Sequence, residues 1–336
     1  MQAGRMRATM KGRILVHGGA GSWEKGEKRE GEVIPALQAA VEAAISAMRG
    51  GSAVDAVVEA VASMEGSGVF NAGRGALPNL DGMIELDAGL MDGENLRAGG
   101  VAAVSSVPHP VRLARMVMDK TENVLVVGVG AGKLAGAFGL SGELQPDAMH
   151  REEIERKRRD YLESPDHRWV REIGSSLTGA REGDTVGAVA MDEEGRFAAA
   201  TSTGGLSFKI PGRVGDSAVV GHGFYAMRGA GAASTSGIGE AIARYGLSLR
   251  AVDLLAGGTS GHTAADQAVS GLTRLFGPDT AGIILLDRNG LPGISFNTRG
   301  MAVGYGGTGV VTHARIVRRE ELEEFFLQLE NLIKGM

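Results

Sequence analysis

A chain of 336 residues without cysteine and with a formal net charge of −5 has no disulfides, no thiolate metal site and no cysteine nucleophile. It gives no reason to expect nucleic acid or an anionic membrane as a partner. No stretch reaches the ~18 apolar residues of a membrane span, and the run after the basic positions Arg5, Arg7, Lys11 and Arg13 is too short for a signal peptide, so a cytoplasmic protein is expected.

In chain order, a short strand, 14–16, runs into a turn, His17-Gly18-Gly19-Ala20-Gly21. Apolar residues at helical spacing predict a helix over 33–48, and a second starts at Ser52, whose capping-box partner is Asp55. A third helix spans 110–118, with proline in its first turn. Strands are expected at 83–91, 101–106 and 123–129. The stretch 150–171 is densely charged and reads as a solvated helix face or linker. Strands then follow closely at 185–191, 197–203, 218–225 and 229–235. Two helices come next, the second over 262–276, then strands at 281–287, 292–297 and 301–305 and a charged helix at 318–334. Helices, then strands, then both again is not a βαβ alternation. It fits an α+β fold in which two sheets pack face to face with helices outside, a four-layer αββα sandwich in a single domain spanning 1–336.

The chemistry gathers after residue 182. Thr185 heads a strand, Thr201-Ser202-Thr203 ends the next, and Arg213 and Asp216 sit three apart in a loop shaped by Gly212 and Gly215. These are the parts for holding a zwitterionic amino acid: a guanidinium for the α-carboxylate, a carboxylate for the α-ammonium and a hydroxyl for attack. Along that second strand Thr201 is read as pointing the other way from Thr203. A threonine hydroxyl is a weak nucleophile, and no base adjoins Thr185 in sequence. Its own α-amine can serve, but that amine exists only once the Asp184–Thr185 bond is cut. The plain alternatives are a β-branched strand residue at 185 and a surface salt bridge between Arg213 and Asp216.

Gly128-Val129-Gly130-Ala131-Gly132 follows an apolar strand and suggests a dinucleotide turn. Lys133 breaks the GxGxxG pattern, so close packing of strand and helix suffices. His17, His222 and His262 lack any metal-ligand spacing and are read as structural.

The ordered blocks HGGAG at 17–21, FNAGRG at 70–75, ELDA at 85–88, MDG at 91–93, GDTVG at 183–187 and SGIGE at 236–240 resemble the plant-type asparaginases and isoaspartyl peptidases. These are Thr-type N-terminal-nucleophile hydrolases, related to glycosylasparaginases and taspases. The resemblance covers nearly the whole chain and implies the same αββα sandwich. It implies self-cleavage into an α-chain, 1–184, and a β-chain, 185–336, with 150–184 as a mobile linker, and pairing of two αβ units. Thr185 becomes the nucleophile, Thr203 orients it, and Asn71 lies nearby. Ser236 and Gly237 form the oxyanion hole, Arg213 and Asp216 bind substrate, and the Gly239 carbonyl holds its ammonium. Relatives wrap an alkali ion, Na+ or K+, in backbone carbonyls, here those of Met64, Glu65, Ser67, Phe70, Ala72 and Arg74; no other cofactor is required. The expected reaction converts L-asparagine to L-aspartate and ammonia and also cleaves β-aspartyl dipeptides. Asp184 departs from the glycine usual in the asparaginase branch. It keeps open a glycosylasparaginase-like amidase and, further off, a taspase-like protease. Ser236 stands where the family has threonine.

Overall fold

The structure, a computed structural model, describes residues 11–23, 27–144, 156, 158–160, 163 and 185–334. Asp184 and most of the charged 150–184 stretch lie outside the described residues.

The elements follow from local chemistry. Strand β1, Arg13–Gly21, takes in the whole HGGAG segment, which was expected as a turn; it continues pairing with the strand at 300–307, with a register shift between His17 and Ala20. Helix α1, Glu27–Met48, is Ala-rich and holds Pro35 in its first half. Helix α2, Ala53–Ser67, begins at Ser52, whose hydroxyl accepts from the Asp55 N–H while the Asp55 carboxylate accepts from the Ser52 N–H; it stops at Gly68 in the left-handed conformation. The antiparallel pair β2, Leu86–Asp92, and β3, Arg97–Val104, precedes α3, Pro110–Lys120. Strand β4, Leu125–Val127, feeds α4, Gly128–Ala137. The glycines of the dinucleotide-like run therefore open a helix against its strand.

After residue 184 come β5, Val186–Met191, β6, Phe197–Thr203, β7, Phe224–Met227, and β8, Gly231–Gly237. Helices α5, Gly239–Tyr245, α6, Leu247–Ala256, and α7, Gly261–Phe276, follow. Strands β9, Ala281–Asp287, β10, Pro292–Phe296, β11, Gly300–Gly307, and β12, Val310–Arg318, lead to the final helix α8, Leu322–Lys334.

Among the described residues the strands make two sheets, one ordered β12-β11-β1-β5-β6-β2-β3-β4 and one ordered β10-β9-β8-β7. Only the β3–β4 pair is parallel. Period-two alternation sorts side chains between two cores. Along β5, Val186, Ala188 and Ala190 join the apolar residues of α1, α2 and α3. Val189 and Met191 join Phe224, Ile284 and Phe296, between the sheets. A third cluster packs β8 and β9 against α6 and α7. The sheets meet closely where a bare backbone takes a ring: a Cβ on Gly89 would lie 2.2 Å from the Phe224 ring.

Four further expectations need correction. The stretch 218–225 is mostly turns, the strand beginning at Phe224. Three helices, not two, follow β8, because Gly246 takes a left-handed conformation and divides α5 from α6. Strand β12 has alternating exposed positions and was hidden by its charges. The last helix starts at Leu322 rather than 318, after a short 3-10 turn.

Candidate active site

The β5–β6 hairpin brings the two hydroxyls together. Val186 faces Ser202 in the register, so one step outward Thr185 faces Thr203. Their separation of eighteen residues is two strands plus the turn around Gly195, whose φ is +75°. The Thr185 Oγ1 donates to Thr203 Oγ1 at 3.1 Å, and both residues are buried. Thr203 Oγ1 also accepts from the Gly205 N–H at 3.0 Å, which fixes its orientation. Thr201 lies on the same face as Thr203, as alternation requires, contrary to the sequence expectation. Its hydroxyl donates to the Ser217 carbonyl at 2.6 Å and ties β6 to the loop after Asp216.

His17, read as structural, touches the nucleophile's own backbone. Its Nδ1 lies 3.1 Å from the Thr185 carbonyl and its Nε2 2.9 Å from Ser234 Oγ. A carbonyl only accepts, so Nδ1 carries the proton. Burial lowers the imidazole to about 3, outweighing the raising effect of the Thr185 hydrogen bond, so the ring is neutral and Nε2 accepts from Ser234. The ring thus pins the chain at Thr185, just before β5. Gly187 is required beside it, since a Cβ there would lie 2.4 Å from Nε2 and 2.1 Å from Ser234 Oγ.

Asn71 acts through the backbone. Its Nδ2 donates to the Gly205 carbonyl at 2.7 Å, its Oδ1 accepts from Leu77 N–H at 2.9 Å, and its carbonyl accepts from Gly204 N–H at 2.8 Å. These bonds clamp the turn that follows Thr203.

The Arg213 guanidinium sits in a cradle of glycines. Cβ atoms would come within 3.3 Å of Nη1 at Gly205, 2.9 Å of Nη1 at Gly215 and 2.8 Å of Nη2 at Gly239. The Gly239 Cβ would also lie 3.0 Å from Asp216 Oδ1, so the guanidinium and this carboxylate share one bare Cα. Arg213 Nε donates to Glu240 Oε1 at 2.9 Å, and Nη2 is 2.8 Å from the same oxygen. Asp216 is buried and accepts from Thr235 Oγ1 at 3.1 Å. Burial raises its pKa to about 6, opposed by a hydrogen bond to its own backbone N–H, by Arg213 and by Thr235.

Ser236 is fully buried, and its Oγ accepts from the Ala20 N–H at 3.0 Å, leaving the hydroxyl proton free to donate. Gly237 has φ +142° and could carry no side chain, since a Cβ would lie 2.3 Å from the Thr280 carbonyl. This lock of β8 onto β9 brings the Ser236–Gly237 pair against the HGGAG end of β1.

Sequence reasoning passed over two charged neighbours. Asp87 on β2 pairs in register with Thr203, and its Oδ2 lies 3.8 Å from Lys209 Nζ, both side chains being buried. Burial lifts the Asp87 pKa and lowers that of Lys209, each effect opposed first by the other's charge. Asp87 Oδ1 also accepts from Ala103 N–H at 2.8 Å. The ELDA block contained Asp87, but nothing in sequence spacing linked it to Lys209.

Among the described residues no three His, Cys, Asp or Glu side chains gather to hold a metal ion, and no helix is long and apolar enough to cross a membrane. A cleft of about 720 Å³ between α6 and α7, lined by Arg250, Asp253, Asp266 and Arg274, contains none of the residues above. Concavity alone would point to the wrong face.

The candidate site is thus a buried hydroxyl pair, Thr185 and Thr203, on one strand hairpin, and a buried carboxylate, Asp216, that shares the bare Cα of Gly239 with the Arg213 guanidinium. Residues 10–316 match the family described as Asparaginase. A plant-type L-asparaginase of Pyrobaculum calidifontis is 48% identical over 89% of this chain and 98% of its own length. An isoaspartyl peptidase of Escherichia coli is 40% identical over 88% of this chain and 93% of its own. An isoaspartyl peptidase/L-asparaginase of Danio rerio is 40% identical over 86% and 90%. The chain belongs to the asparaginase family.

Proposed function

We propose that this protein hydrolyses the side-chain amide of L-asparagine and the isopeptide bond of β-aspartyl dipeptides, using Thr185 as an N-terminal nucleophile. The observation that carries the reading is the buried Thr185–Thr203 hydroxyl contact at 3.1 Å, on the strand end that cleavage of the Asp184–Thr185 bond would free. The names of the relatives from Pyrobaculum calidifontis, Escherichia coli and Danio rerio support the substrates.

In this mechanism the freed α-amine takes the Thr185 hydroxyl proton, and the oxygen attacks the side-chain carbonyl carbon of the substrate. The tetrahedral oxyanion is met by the Gly237 N–H and the Ser236 hydroxyl. Ammonia leaves with the proton held by the amine, giving a β-aspartyl ester on Thr185. Water, deprotonated by the same amine, then opens the ester to aspartate. Arg213 binds the α-carboxylate, while Asp216 and the Gly239 carbonyl hold the α-ammonium. A β-aspartyl dipeptide offers the same free α-groups; an α-linked one does not, because its α-carboxyl is consumed in the peptide bond.

The same reading makes 1–336 one N-terminal-nucleophile domain with a four-layer αββα sandwich, cut into 1–184 and 185–336 and paired as (αβ)2 in the cytoplasm. The helix-flanked apolar clusters on either side of the inter-sheet core support it. The segment 64–74, from the end of α2 through the turn after it, would take an alkali ion: Cβ atoms on Gly73 and Gly75 would lie 2.6 Å from the Glu65 carbonyl oxygen and 2.2 Å from that of Phe70, so neutral oxygens crowd round bare backbone. With Met64, Ser67, Ala72 and Arg74 they would hold Na+ or K+, which would supply charge to order the loop rather than chemistry.

The test is ammonia release from L-asparagine and leucine release from β-Asp-Leu by the purified protein. Both should be rapid, α-Asp-Leu should stay intact, and Thr185→Ala should abolish both activities. Hydrolysis surviving in Thr185→Ala would contradict the assignment.

A further inference from the structure

The Arg213 fork is already half used. Its Nε donates to Glu240 Oε1, and Nη2 lies 2.8 Å from the same oxygen. Despite that distance, the buried Nη2 makes no hydrogen bond among the described residues, and it faces the shared Cα of Gly239 beside Asp216 Oδ1. Arg213 is 9% exposed in its side chain and Glu240 45%, so Glu240 closes the solvent side of the guanidinium and leaves the Nη1–Nη2 end facing inward. Two carboxylates, Asp216 and Glu240, thus share one guanidinium, and the Glu240 charge is felt at Asp216. Lys209, which also borders Gly205, has its own buried partner in Asp87.

We propose that Glu240 is the specificity-determining residue of this anchor: it presents the Nη1–Nη2 end of Arg213 to the ligand and makes the pocket refuse a carboxylate that lacks a neighbouring ammonium. The inference rests on the reading of Arg213 and Asp216 as the substrate anchor. An incoming dicarboxylate without an amine, such as succinate, adds a third negative charge to a site that already holds two around one guanidinium. L-Aspartate brings an ammonium with its α-carboxylate, so the added charges offset each other there. Removing the Glu240 charge frees the side edge of the guanidinium and lowers the repulsion, so the penalty falls on selectivity rather than on the chemical step. Glu240 touches no reacting atom and acts through Arg213, as a positioning residue.

The experiment compares wild type, Glu240→Gln and Glu240→Asp for L-asparagine turnover and for competitive inhibition by L-aspartate and by succinate. In Glu240→Gln the preference for L-aspartate over succinate should fall about tenfold, with KM for L-asparagine raised and kcat within about twofold of wild type. Glu240→Asp keeps the charge and should recover most of the preference. An unchanged preference in Glu240→Gln, with asparagine still hydrolysed, would overturn the inference and leave the activity standing. A wild-type protein that neither hydrolyses L-asparagine nor is occupied by L-aspartate would overturn the anchor reading itself, and this inference with it.

Discussion

At the scale of single residues, two buried titratable groups give the site opposite responses to acid. Asp216 must be charged to hold an ammonium, and burial puts its pKa near 6. The kcat/KM for L-asparagine should therefore fall as pH drops below about 6, approaching tenfold per unit. A pH–rate profile checks this, and Asp216→Asn should be weak at every pH and lack that acid limb. His17 has a folded pKa of about 3 against 6.5 for the free side chain, so between those values the unfolded chain binds the extra proton. Its contribution is present above pH 6.5 and is lost as pH falls. For Asp216 the order is reversed: the folded state holds the proton between 3.8 and about 6, and stability there falls as pH rises. The stability advantage of wild type over His17→Gln should shrink by about 2 kcal/mol between pH 7 and pH 5. Urea denaturation at the two pH values reads it, and a constant difference would mean that the ring is not held neutral.

At the scale of elements, the hairpin decides the site. Thr185 and Thr203 were legible through the spacing that the resembled family shows, and the hairpin gives that spacing its physical reason, since an antiparallel pair with a tight turn makes them cross-strand neighbours. The capping box at Ser52 and Asp55 was legible for a similar local reason. Ser52→Ala should cost about 1 kcal/mol, seen as a lower Tm with activity retained. Contacts between distant segments were not legible. His17 on β1 reaching Thr185 on β5, Asp87 on β2 reaching Lys209, and Arg213 packed on Gly239 depend on sheet order, which no local pattern encodes. Thr201 was misplaced by a slip in alternation, and its bond to the Ser217 carbonyl corrects it. Strand β12 was missed because half of it faces solvent, with Val311 exposed, and the charges of its last residues read as helix.

Small residues carry the same lesson. Gly239→Ala places a methyl 2.8 Å from Arg213 Nη2 and 3.0 Å from Asp216 Oδ1. Neither group can retreat without leaving the anchor, so KM for L-asparagine should rise at least about tenfold while the Tm stays near wild type. Steady-state kinetics beside a thermal melt separate the two effects. A variant with an unchanged KM would show that the anchor lies elsewhere.

At the scale of the whole molecule, Thr185 stands immediately before β5 in the larger sheet, its hydroxyl against Thr203 and its carbonyl against His17. An internal threonine in that place has no α-amine, so the account requires the chain to cut itself before it can turn over substrate. The most direct measurement is the intact mass and N-terminal sequence of the purified protein, wild type and Thr185→Ala, after incubation at neutral pH. Wild type should resolve into pieces 1–184 and 185–336 with a new N-terminus at Thr185, asparagine hydrolysis should rise in step with the cut, and Thr185→Ala should stay whole. A wild-type chain that remains uncut yet hydrolyses asparagine at full rate, or a new N-terminus at any other residue, would contradict the account.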